Sequence, residues 1–297
     1  MDRVVLLIAE WEQQQNVDIM LHLDNCNLTE LPSLPPNLLY LSCCGNSLTT
    51  LRGLPSNLLC LNCSHNRLTT IVSLPAGLTD LTCSDNLLVM LPDLPDSLTG
   101  LTCEFNRLSR LPRLPENLTF LACSGNLLTE MPRLPDRLES LYCNNNNLTE
   151  LSSLPNTIKH IYCNNNQLTS LPCLPNGLTR VECDGNQLQE LPELPDELLE
   201  LACNRNRLMR LPELPSQLRF LACEFNMLET LPPLPEKLQC LNCMGNRLRY
   251  LPLRMITETL YHLDARENRL LCEQTPDELH GVDMIQIFLN RLTQRTM

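Results

Sequence analysis

The chain repeats one pattern of apolar and polar positions along most of its length. Cysteine recurs at each twentieth position from Cys43 to Cys243, and asparagine follows three positions later each time, from Asn46 to Asn246. A buried amide at that turn should satisfy backbone groups of its own coil and of neighbouring coils. The repeating unit reads LxxLxCxxNxLxxLPxLPxx, as in the copy that begins at Leu98. A fixed period of this length is typical of a solenoid, in which each coil packs mainly on its neighbours.

Each unit contains a short strand and an extended return path. The stretch 101–103 alternates apolar and polar residues, which predicts a strand with leucine and cysteine facing inward. Because the next coil repeats it in register, the strands should form a parallel sheet. Proline fixes φ and donates no amide hydrogen, so the LPxLP segments should be polyproline-like chain on the convex side. The predicted fold class is an α/β repeat solenoid with helical caps.

The ends of the chain depart from the repeat. Val4, Leu7, Ile8 and Trp11 have the spacing of one helix face, and the stretch 275–278 reads as the start of a second helix. We expect an N-terminal helical cap, a solenoid of about thirteen coils and a C-terminal cap, at residues 1–20, 21–270 and 271–297.

These residues resemble the LPX-type leucine-rich repeats of bacterial effectors, found in YopM-like scaffolds and in IpaH-type ubiquitin ligases. The resemblance rests on the short repeating coil with LPxLP, as in Leu191–Pro195, and on the short N-terminal segment that contains Trp11. It implies a leucine-rich repeat fold, with the sheet on the concave face. It also implies a virulence protein made in the bacterial cytoplasm, delivered by type III secretion and acting in the host cytoplasm.

The resemblance leaves three functions open. A YopM-like protein would be a non-catalytic scaffold that binds host proteins, and this is the preferred interpretation. An IpaH-type protein would be the substrate-recognition arm of a ligase, whose catalytic domain carries a Cys-x-Asp motif. The chain has this motif only at Cys83-Ser84-Asp85, where the repeat directs the cysteine inward. The third alternative is a bacterial repeat protein with no host role.

The cysteine column predicts buried, reduced thiols. An inward strand position favours a small apolar side chain, and buried cysteine behaves as one. Neighbouring strands are too far apart for disulfides along the column, and no zinc-ligand spacing occurs, so neither a metal nor another cofactor is expected. Three cysteines outside the column, Cys44, Cys60 and Cys240, fall on columns predicted to be exposed and should react with alkylating agents.

The charge restricts the class of partner. The net charge of -12 and the pI near 4.9 argue against nucleic acid, whose binding needs lysine and arginine. No apolar run approaches the roughly 18 residues of a membrane span. The stretch 181–236 holds eleven acidic and four basic residues. This excess is either a solvated face or a surface that attracts a basic segment of a partner.

The predicted binding site lies on the concave face, where seven of the eleven aromatic residues fall. Exposed aromatic residues often mark protein-binding surfaces, although some can simply pack on neighbouring side chains. Tyr142 and Tyr162 occupy the same column in consecutive coils and should stack. The oligomeric state stays open. The candidate contact residues are Tyr40, Phe105, Phe120, Tyr142, Asn144, His160, Tyr162, Asn164, Arg180, Glu182, Phe220 and Phe225.

Overall fold

The computed structural model describes residues 3–251 and 259–270. The chain divides into two compact units, Met1–Leu148 and Thr149–Met297. Each unit is a solenoid in which successive coils contribute strands to a parallel sheet. This arrangement confirms the predicted repeat solenoid with its parallel sheet, whereas the boundaries at residues 20 and 270 stay predictions.

The first unit opens with helix α1 (Arg3–Gln13). Its strands are β1 (Leu21–His22), β2 (Tyr40–Ser42), β3 (Thr50–Leu51), β4 (Cys60–Asn62), β5 (Thr70–Ile71), β6 (Asp80–Thr82), β7 (Gly100–Thr102), β8 (Phe120–Ala122) and β9 (Ser140–Tyr142). Strands β3 and β5 pair with each other, and the rest form the main sheet of this unit in chain order. All pairs are parallel and join equivalent positions of successive coils, as in Leu81 beside Leu101.

The strands of the second unit are β10 (His160–Tyr162), β11 (Arg180–Glu182), β12 (Glu200–Ala202), β13 (Phe220–Ala222), β14 (Cys240–Asn242) and β15 (His262–Asp264). Neighbours again pair in parallel and join equivalent positions of successive coils. The last pair places Cys240 beside His262, because the final coil is two positions longer than the others. The same two-residue lengthening is visible in the sequence, just before the final copy of the repeat.

The core consists of leucine and cysteine side chains on the inner side of each sheet. All eleven cysteines of the column are 0% exposed, which confirms the predicted burial. The sixteen cysteines in the described ranges are free thiols. Because burial disfavours the thiolate, it raises the pKa of Cys83 from 9.0 to about 12.

The prediction for the other cysteines is partly wrong. Cys240 is only 8% exposed, and its neighbours across the sheet are Phe220 and His262. Cys44 and Cys60 are half-buried. Cys173, which lies in a proline segment, is the exposed thiol of the described ranges.

The asparagine column links each coil to the one before it. Asn106 donates from Nδ2 to the backbone oxygens of Cys83 and Cys103, at 3.0 and 3.2 Å. Its Oδ1 accepts from the amide of Leu88 at 3.0 Å. The same pattern recurs along each unit, so the amide satisfies buried backbone groups of two coils, as the sequence predicts.

The return path and the termini complete each coil. The LPxLP segments contain neither helix nor strand, and each leads into a turn, as where the Leu118 amide donates to the Pro115 oxygen at 3.1 Å. Their polyproline geometry stays a prediction. Helix α1 contacts β1 and buries Val4 and Trp11, whose Nε1 donates to the Ile19 oxygen at 2.7 Å. The C-terminal cap predicted at 271–297 lies outside the described residues.

Candidate functional site

The solvent side of each sheet is formed by four positions in every coil. Two are outward strand positions, the first column with Tyr40 and its equivalents, and the second column with Ser42 and its equivalents. The third and fourth columns follow in the turn, beginning with Cys44 and Gly45. We call this surface the sheet face. It contains all twelve residues that the sequence singled out as contacts.

Three aromatic residues of the first column lie beside small residues of the second column. The pairs are Tyr40 with Ser42, Phe120 with Ala122 and Phe220 with Ala222. The small residues are only 3 to 4% exposed, although they point to solvent from the strand. Side chains two residues apart share a side of the sheet, so each ring stands next to its small neighbour. The rest of the Phe120 ring remains open, and this residue is 38% exposed.

A depression of about 170 Å³ opens on the sheet face of the first unit, around Gly100. Asp80 and Phe120, the first-column residues of the neighbouring strands, form its two walls. Threonines 82, 99, 102 and 119 also line it, and the hydroxyls of Thr99 and Thr119 donate to backbone oxygens of the preceding coil. The Phe120 wall packs against Tyr142. The centroids of the two rings are 5.4 Å apart, and the ring planes are tilted by 42°. We call this depression the Gly100 notch.

Two further aromatic residues sit in the turn, in the fourth column. Phe105 and Phe225 have left-handed φ angles of 51°. Their rings lie against the glycines of the next coil, since a Cβ on Gly125 or Gly245 would meet the ring at 2.6 or 2.5 Å. This packing uses one side of each ring, and Phe105 is still 55% exposed.

The second unit carries a cation on its sheet face. Arg180 donates to Glu182 at 2.7 Å and to Glu200 at 2.8 Å, and its guanidinium carbon lies 5.4 Å from the centre of the Tyr162 ring. His160 is its neighbour in register on β10. Burial lowers the pKa of Arg180, but the two carboxylates outweigh burial and raise it overall.

A run of polar side chains follows the third column of the second unit. Asn164, Asp184 and Asn204 each accept a hydrogen bond from the backbone amide of the equivalent residue in the next coil, at 2.7 Å. Burial raises the pKa of Asp184, although bonds from Asn204 oppose it. Burial also raises the pKa of Glu224, and the nearby Asp264 adds to the effect. These groups fix the turns and leave an acidic surface.

The structure brings some predicted residues together and separates others. Phe120 lies against Tyr142, and Tyr162, Arg180 and Glu182 form one cluster. Tyr40 is four strands from Phe120 within the first sheet. Asn144 and Asn164 occupy the third column of their respective units. Because Tyr142 and Tyr162 belong to different units, their predicted stack stays a prediction.

Sequence reasoning missed Gly100 and Asp80. Gly100 is the single glycine of the first column, and glycine inside a strand often marks a close approach by another group. That signal was available in the sequence. No signal singled out Asp80, because an isolated acidic residue on a strand is ordinary in an acidic protein.

The described ranges hold no group of three or more histidine, cysteine and acidic side chains placed to bind a metal ion. No helix in these ranges is long and apolar enough to cross a bilayer. The opposite side of the second unit has an open groove of about 800 Å³ between two proline segments, lined in part by Leu154, Pro172 and Cys173. A similar groove of about 590 Å³ lies between Leu194 and Leu214. Such grooves follow from the repeat.

Comparison with known proteins finds solved structures of similar fold. No family model matches the sequence, and no curated protein does. YopM from Yersinia enterocolitica WA-314 is 30% identical, with 94% of this chain and 80% of that chain covered and a TM-score of 0.67. YopM from Yersinia pestis, described as a leucine-rich effector protein, is also 30% identical, with 94% and 91% covered and a TM-score of 0.70.

A third solved structure shares the fold alone. It is the functional domain of InlJ from Listeria monocytogenes, which is described as including a cysteine ladder. It is 23% identical, with 82% of this chain and 66% of that chain covered and a TM-score of 0.54. With the repeat, the parallel sheets and the 30% identity to YopM over most of both chains, the protein belongs to the leucine-rich repeat family.

Proposed function

We propose that this protein is a non-catalytic effector of the LPX type that binds host proteins through its sheet face, the concave face of the repeat. The observation that carries the proposal is the sheet face itself, where aromatic and charged side chains stand on a rigid sheet. Aromatic residues and arginine are the side chains enriched at protein interfaces. The similarity to YopM, an effector protein, supports the same function.

The proposal includes a location. The protein is made in the bacterial cytoplasm and is delivered by type III secretion into the host cytoplasm, where it acts as a virulence scaffold. A translocation-reporter fusion to the full chain tests this part. Signal inside infected host cells is the expected result, and a reporter that stays in the bacterium would favour a repeat protein with no host role.

The binding surface is tested by a double substitution. Tyr142→Ala with Tyr162→Ala should abolish capture of host proteins, because truncating an aromatic anchor costs about 2 kcal/mol or more of binding energy. The matched control is Met90→Ala with Met209→Ala, which truncates apolar side chains that are 50% and 66% exposed outside the sheet face. Both variants should melt near the wild-type temperature.

Equal capture by the two variants would contradict the proposal. The groove beside Cys173 or the acidic stretch 190–200 would then become the next candidate surface. The ligase alternative is tested separately, by reading the coding sequence beyond codon 297. A continuing frame that encodes a helical domain with Cys-x-Asp would favour the ligase over the scaffold.

A further inference from the structure

The Gly100 notch combines a carboxylate, a gap and an aromatic wall in three consecutive strands. Asp80, Gly100 and Phe120 are aligned in register across β6, β7 and β8. A methyl group on Gly100 would lie only 2.7 Å from Oδ1 of Asp80, so the Asp80 carboxylate leans over the position that a side chain at residue 100 would occupy. The opposite wall is the exposed part of the Phe120 ring.

The charge around the notch is unbalanced. From residue 40 to residue 145, the four columns of the sheet face contain Asp80, Asp85 and Glu104 but neither lysine nor arginine. The Asp85 carboxylate lies 3.5 Å from Nδ1 of His65. Asp80 accepts a hydrogen bond from Thr79 at 2.8 Å, and no basic side chain in the described part of this unit forms an ion pair with it.

In the second unit, an arginine side chain lies between an aromatic ring and a carboxylate. There, Arg180 occupies the first column, with the Tyr162 ring on one side and the Glu200 carboxylate on the other. Glu182 on the same strand also bonds Arg180, and Thr102 takes its place beside Gly100. In the notch, the order is carboxylate, glycine, aromatic ring. The position that corresponds to the arginine is therefore Gly100, and the partners of a guanidinium are present without one.

We propose that the Gly100 notch binds an arginine side chain of the protein partner. This inference rests on the proposed function, since it names the chemistry of the partner at one point of the sheet face. A guanidinium is planar, so it can stack on Phe120 while it donates hydrogen bonds to Asp80. Thr82 and Thr102, the second-column threonines that line the notch, can accept further hydrogen bonds. The negative charge of this face favours the approach of a basic segment.

The test uses a random peptide library displayed on phage and selected on the immobilised full-length chain, with Gly100→Arg for counter-selection. This substitution fills the notch with an internal arginine. It should fold, because Gly100 is not among the residues with a left-handed φ and only the mobile end of Asp80 must move. Enriched peptides should share one fixed arginine.

The selected peptide is then synthesised with arginine or with its uncharged isostere citrulline, and affinities are measured by fluorescence polarisation. Citrulline, Asp80→Asn and Gly100→Arg should each weaken binding about tenfold or more, as expected for a central interface residue. Asp85→Asn and Gly77→Arg are the matched controls. They make the same changes of charge and size in this unit away from the notch, and should keep affinity within about twofold.

Three results would contradict arginine binding by the Gly100 notch: enriched peptides without a shared arginine, no enrichment, or unchanged binding by Asp80→Asn. Capture of the host partner separates this inference from the proposed function. If Gly100→Arg captures it normally while the double tyrosine variant does not, the notch assignment is wrong and the sheet face still binds. If the double tyrosine variant also captures it normally, the proposed function fails.

Discussion

At the scale of single residues, the asparagine column makes several hydrogen bonds per side chain, four of them in the case of Asn106. Asn106 bonds its own coil and the preceding one, and it is only 8% exposed. Losing it leaves buried carbonyl and amide groups without partners, and each such group costs roughly 1 to 3 kcal/mol. The column is thus a structural device that joins successive coils.

Replacing Asn106 with alanine should therefore destabilise the protein by about 3 kcal/mol or more. The measurement is urea unfolding followed by circular dichroism. Asn117→Ala is the control, because Asn117 is exposed and donates one hydrogen bond to the Asp96 oxygen at 3.0 Å. Equal midpoints for the two variants would show that the column does not stabilise the coils.

Thiol reactivity should follow burial. Iodoacetamide should modify Cys173 first, since it is exposed, and Cys44 and Cys60 more slowly, since they are half-buried. The column cysteines and Cys240 should react only after denaturation. Peptide mapping by mass spectrometry gives the order of labelling. Rapid modification of Cys103 or Cys123 in the native protein would refute the inward orientation of the column.

The buried thiols also predict how stability depends on pH. Burial raises the pKa of Cys123 and Cys223 from 9.0 to about 12 in the folded protein. The unfolded chain loses these protons near pH 9, so the protonated thiols contribute stability below that pH and lose it between pH 9 and 12.

Cys123→Val with Cys223→Val should flatten this dependence. The loss of unfolding free energy as the pH rises above 9 should be smaller in the variant, because two thiols no longer ionise on unfolding. Urea unfolding at a series of pH values measures both slopes. Parallel slopes would mean that the thiols ionise alike in the folded and unfolded chains.

At the scale of elements, helix α1 shows what a short amphipathic segment does at the end of a repeat array. Its Trp11 is 5% exposed and bonds to Ile19, which leads directly into β1. Trp11→Ala should cost about 3 to 5 kcal/mol, as for other buried aromatic residues. Val5→Ala, at a side chain that is 54% exposed, is the control.

Hydrogen exchange locates the effect of the Trp11 substitution. Protection should fall first in β1 and β2, because coils in a solenoid are stabilised mainly by their neighbours. Unchanged protection in these strands would indicate that α1 does not stabilise this end of the first unit.

The elements also show which features the sequence could predict. The constant period of the repeat determined the register, the inward leucine and cysteine, and the role of asparagine, because each depends on repeating positions. The burial of Cys240, unlike the half-burial of Cys60 in the same column, was not visible in the repeat. The Gly100 notch depended on three different residues placed side by side. Such features arise from differences between repeats, which a consensus pattern averages out.

At the scale of the whole molecule, the positions that the repeats share and the positions that distinguish them have separate roles. The shared positions, inside the coils, build the fold that the chain has in common with YopM. Many of the differing positions lie on the sheet face, where they can specify a partner. A net charge of -12 adds attraction toward basic segments, as the notch requires.

The most direct test of the sheet face uses fluorine NMR on the full chain labelled with 3-fluorotyrosine. Tyr40, Tyr142 and Tyr162 report on the sheet face, and Tyr250, which is 53% exposed, reports on another surface. Single Tyr→Phe variants assign the resonances. With the captured host partner added, we expect shifts for Tyr142 or Tyr162 and an unchanged Tyr250. A shift of Tyr250 with all three sheet-face resonances unchanged would contradict binding through the sheet face.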